Sequence, residues 1–81
     1  MSALLRALEV VNGPRQEAYG PPEESFARIA AMWGAILHRA ITPQEVALCM
    51  IALKVCREAN KPGHDNRVDI AGYTEILDRI S

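Results

Sequence analysis

The chain has 81 residues, 49% of them apolar, with nine Lys or Arg set against ten Asp or Glu. That length predicts one small domain, and a formal net charge of −1 argues against binding DNA or RNA through a broad basic field. No run of 18 apolar residues predicts a membrane span, and Met1 to Val11 lacks the basic flank and cleavage site of a signal peptide. A cytoplasmic protein is expected.

Leu4, Leu5, Leu8 and Val11 recur at helical spacing and predict a short amphipathic helix over residues 3–11. Asn12-Gly13-Pro14 stops it, because Gly suits a left-handed cap and Pro cannot continue the ladder. Arg15 to Pro21 reads as irregular, with Gly20-Pro21-Pro22 as punctuation. A second helix is expected from about Pro22 to Arg39. Glu23 and Glu24 complement the dipole in its first turn. Its apolar stripe is Phe26, Ile29, Ala30, Trp33, Ile36 and Leu37.

Thr42-Pro43-Gln44-Glu45 has the form of a capping box with Pro at the first helical position. It opens a third helix expected to run from Pro43 to about Asn60, which Lys61-Pro62-Gly63 ends. A fourth helix begins near Asp65 or Asn66, either of which can cap, and continues to about Ile80. Val68, Ala71, Ile76, Leu77 and Ile80 supply most of its apolar face. Nothing alternates in the manner of a strand. The expected fold is all-α, a small four-helix bundle.

Between Val46 and Cys56 the third helix carries one polar residue, Lys54. Apolar side chains therefore cover its whole circumference for two turns, where a small monomer keeps a polar face. Three partner helices, one of them short, offer too little cover. Leaving three or four such side chains in water forfeits roughly 1.5–3 kcal/mol each, comparable with the stability of a small domain. Self-association as a homo-oligomer is the expected remedy. Cys49 and Cys56 lie about 10 Å apart along this helix at 1.5 Å per residue, too far to bond to each other, and read as reduced core residues.

Lys54 carries the most information of any residue. Inside an apolar helix it must reach water, meet an acid or meet a bound anion. Arg57 and Lys61 follow on the same side and form with it a basic ridge suited to phosphate, Arg as a fork and Lys as a point charge. The plainer alternative pairs Lys54 with Glu58 at i,i+4 and bridges Arg57 to helix four. His64, Asp65 and Asp69 form a second constellation with the chemistry of a divalent-cation site. Its alternative makes Asp65 a dipole complement and pairs Asp69 with Lys54 or Arg57. Arg15, Tyr19, Gly20 and Phe26 bracket the irregular segment. There a Tyr-Gly pair either stacks a base or closes the core. Trp33 and Met50 read as core, His38 as a cation at a helix end, and Glu75 with Asp78 as a solvated face.

Several segments resemble small phage and prophage proteins related to MazG, the all-helical nucleoside triphosphate pyrophosphohydrolases. They are Arg15-x3-Tyr19-Gly20, Phe26-x2-Ile29-Ala30-x2-Trp33, Ile41-Thr42-x2-Glu45-Val46-Ala47, Met50-x3-Lys54-x2-Arg57 and His64-Asp65-x3-Asp69-Ile70-Ala71-Gly72-Tyr73. The likeness spans roughly residues 4–77. It implies a MazG-like helical fold in which acids on two neighbouring helices hold Mg2+ against a triphosphate. Asp69 stands where the family's final Asp is expected. The third helix departs from the pattern, with Lys54 and Arg57 in place of a Glu pair. Two cations there remove charge that would hold magnesium and leave groups that contact phosphate directly. The resemblance thus implies a binder of a nucleotide or other phosphate-bearing small molecule at a subunit interface, able in a phage to sequester a signalling nucleotide. Lys54, Arg57 and Arg15 would take the phosphate, Tyr19 or Tyr73 would stack the base, and His64, Asp65 and Asp69 would hold any cation. The alternatives are a magnesium-dependent pyrophosphohydrolase using Asp65, Asp69 and Glu45 or Glu58, and a structural module whose charges pair among themselves.

Overall fold

The computed structural model of the chain describes residues 2–12 and 20–81, with side chains for 2–7 and 20–81. Four helices, and no strand, occur among them: α1 (Ala3–Asn12), α2 (Pro22–Leu37), α3 (Pro43–Asn60) and α4 (His64–Ile80). Helix α4 touches all three others, α2 also lies on α3, and α1 docks on α4 alone. The predicted order of elements is therefore the observed one, arranged around the last helix.

The core forms where the inner stripes of α2, α3 and α4 converge. Phe26, Ala30, Val46, Ala47 and Ile76 are buried together, with Ile29, Trp33, Ile41, Met50, Tyr73, Leu77 and Ile80 packed against them. No polar or charged residue among those described is fully buried. Small side chains at Ala30 and Ala47 let the helices approach closely while Phe26 fills the space between them. Val68 and Ile76 carry the inner face of α4, and Ala7 is buried where α1 meets it.

Two ends of helices differ from expectation. Helix α2 stops at Leu37, two residues early, because His38 turns into the left-handed region at φ 58. The chain then folds back so tightly that the Arg39 N–H donates to the Gly34 carbonyl at 3.2 Å. His38 is thus the C-cap residue at the end of α2, in a conformation that costs a non-glycine residue about 1–2 kcal/mol. Ile36 and Leu37, in its last turn, are 69% and 56% exposed, although the apolar stripe places them inside.

The opening of α3 follows its sequence closely. Thr42 Oγ1 accepts from the Glu45 N–H at 3.1 Å, and Glu45 accepts from the Thr42 N–H at 2.9 Å. Helix α4 begins at His64 with Gly63 as its N-cap and no side-chain cap. Neither Asp65 nor Asn66 caps it; Asn66 Nδ2 instead donates to Glu58 and to the Lys61 carbonyl. Two long-range links close the bundle at the far end. Gln44 Nε2 donates to the Ile80 carbonyl at 2.8 Å, and Arg79 Nε reaches Glu23 at 3.3 Å.

Candidate functional site

The polar groups singled out in the sequence gather where the second half of α3 lies along the first half of α4. Lys54 sits on the side of α3 that faces α4, a consequence of its three- and four-residue spacing from Met50, Ile51 and Glu58. Its Nζ lies 2.8 Å from Asp69 Oδ2, and the two side chains are only 14% and 24% exposed. The cation does meet an acid, on the neighbouring helix rather than at i,i+4. Of the fates open to Lys54, the pairing with Asp69 is the observed one.

Glu58 is engaged elsewhere. Its Oε1 accepts the Gly63 N–H at 2.8 Å and its Oε2 accepts Arg67 Nε at 2.8 Å. The Gly63 amide first, then Arg67, holds the Glu58 carboxyl below the usual glutamate range. This side chain joins the last turn of α3 to the first turn of α4 across the Lys61-Pro62-Gly63 bend. Sequence reasoning missed that role. The available signal was an acid one turn before a Pro-Gly stop, where the incoming helix offers unpaired amides.

Arg57 is exposed, and among the described residues it makes no bridge to α4. Lys61 is also exposed and closes α3 through its backbone, its N–H donating to the Arg57 carbonyl at 2.9 Å. A basic ridge survives, reduced to these two cations, since the charge of Lys54 is balanced by Asp69.

Among the described residues no three His, Cys, Asp or Glu side chains are grouped so as to hold a metal ion. His64, Asp65 and Asp69 are thus not brought together as a cation site. His64 and Asp65 stand exposed, while Asp69 is spent on Lys54. As placed, these three side chains do not fit Mg2+.

Tyr73 packs inward. Its ring centroid lies 6.2 Å from that of Phe26, a tilted contact at 54° on the edge of the core. Arg15 and Tyr19 lie outside the described residues. Gly20 has φ 80, a left-handed backbone that favours glycine.

The outer face of α3 carries the larger surprise. Cys49 and Cys56 are exposed rather than buried. Leu48, Leu53 and Val55 are 53%, 44% and 51% exposed, and Ala52 stands between them in water. The chain leaves this apolar face uncovered.

These features define a small all-helical domain, held by one apolar core and a few polar links between helices. The chain belongs to the family described as a domain of unknown function, DUF6378, whose model matches residues 2–81. Two relatives are phage proteins, each called Gene 55 protein. That of Mycobacterium phage L5 is 43% identical, over 99% of this chain and 53% of the relative. That of Mycobacterium phage D29 is 35% identical, over 98% of this chain and 53% of the relative. The chain spans about half the length of the curated relatives it matches. Its likeness to phage proteins is therefore shown, while neither the family description nor those names mentions MazG or a nucleotide. No solved structure matches. No helix among the described residues is long and apolar enough to cross a membrane.

Proposed function

We propose that this domain works as a self-associating helical module, a homo-oligomer built through the outer face of α3. The carrying observation is the exposure of Leu48, Leu53 and Val55, about half of each in water, on a helix face without a charge between Leu48 and Cys56. Covering half of three such side chains returns roughly 3 kcal/mol. Met32, Ile36 and Leu37 on the adjoining α2 are at least as exposed and double that figure. Surface of this kind on a small domain marks a contact with another protein, and an identical copy is the partner always at hand. Sedimentation velocity across low micromolar concentrations tests it. The expected result is a particle of two or more chains, reduced to one by Leu48→Asp with helical circular dichroism unchanged. A single-chain particle at every concentration would reject the reading.

A second reading is favoured by Arg57 and Lys61, two exposed cations at i,i+4 without a side-chain partner among the described residues. In the assembled protein they would hold the phosphate of a nucleotide or other phosphate-bearing small molecule, Arg57 in a fork and Lys61 as a point charge. In a phage setting that activity would sequester a signalling nucleotide. Drawing Lys54 into such a site requires its release from Asp69, and stacking on Tyr73 requires its ring to leave Phe26. A MazG-like pyrophosphohydrolase needs more still, a set of acids for Mg2+. Thermal shifts with nucleoside triphosphates and cyclic dinucleotides, with pyrophosphate release followed in parallel, test both. The binder predicts a shift that Arg57→Ala abolishes; no shift and no release leaves the assembly module alone.

A further inference from the structure

We draw no further inference here: the strongest candidate, the uncovered apolar face of α3 that carries Cys49 and Cys56, belongs to the self-association already proposed, and nothing in the structure shows what covers it.

Discussion

Lys54 shows how one side chain organises a neighbourhood. A cation amid apolar residues costs free energy unless it is paired, and Asp69 at 2.8 Å supplies the partner with both side chains largely enclosed. Removing either partner leaves the other charge half-buried and alone. Lys54→Ala and Asp69→Ala are each expected to lower stability by about 1–3 kcal/mol. Lys54→Met with Asp69→Leu should lose clearly less than the two single changes added together. Urea unfolding of the four proteins measures the coupling. Glu58 behaves differently because it acts through its titration. Its folded-state carboxyl is held down by the Gly63 amide and Arg67, so the fold prefers the ionised form. That preference stabilises the protein at neutral pH and fades as pH falls below the ordinary glutamate range, about 4.3, through the lower value of the folded state. Glu45, held down first by the Thr42 amide, follows the same sign. Urea midpoints between pH 7 and pH 3 should therefore fall less steeply in Glu58→Gln than in the wild type.

At the scale of elements, the three best-marked features of the sequence differ in how far local chemistry decides them. The capping box at Thr42 is complete within four residues, and it formed as read. The start of α4 is settled by Glu58, which lies on another helix, so no inspection of Asp65 and Asn66 alone could place it. The end of α2 turns on Gly34, which sequence reasoning passed over as one more helical position. A Cβ there would stand 2.8 Å from the Arg39 carbonyl oxygen, closer than backbone atoms tolerate. Gly34→Ala is expected to force the 38–41 turn open and cost on the order of 1–3 kcal/mol, read as a lower thermal midpoint with helix content retained. The candidate site was legible only in composition. Lys54, Arg57, Asp65 and Asp69 announce a charged seam, but which of them touch depends on how α3 crosses α4. That crossing is a property of the packed pair and is written in neither helix alone.

For the whole molecule, the composition of α3 carried a correct inference, that this chain cannot hide all of its apolar surface. The structure shows it unhidden, at Leu48, Leu53 and Val55. The inference went astray over the interior. Both cysteines were assigned to it and neither lies there, because Val46 and Ala47 already fill the inward face. Ile36 and Leu37 are likewise exposed. Apolar pattern reports how much grease a helix has; only packing reports which side is turned in. If the exposed faces are joined in solution, the melting temperature should rise with protein concentration, since association binds the folded chain and not the unfolded one. A midpoint constant over a hundredfold range would argue for a lone chain.

Trp33 is the chain's single tryptophan and lies half-sheltered on the edge of the core, packed against its buried members. The molecule thus contains its own fluorescent reporter. Loosening of the α2 contact should move its emission to longer wavelength without any label or added mutation. Its sequence neighbour Met32 is among the most water-exposed large side chains, so the same indole sits one residue from a candidate contact surface. One optical signal can then follow both unfolding and the meeting of two chains.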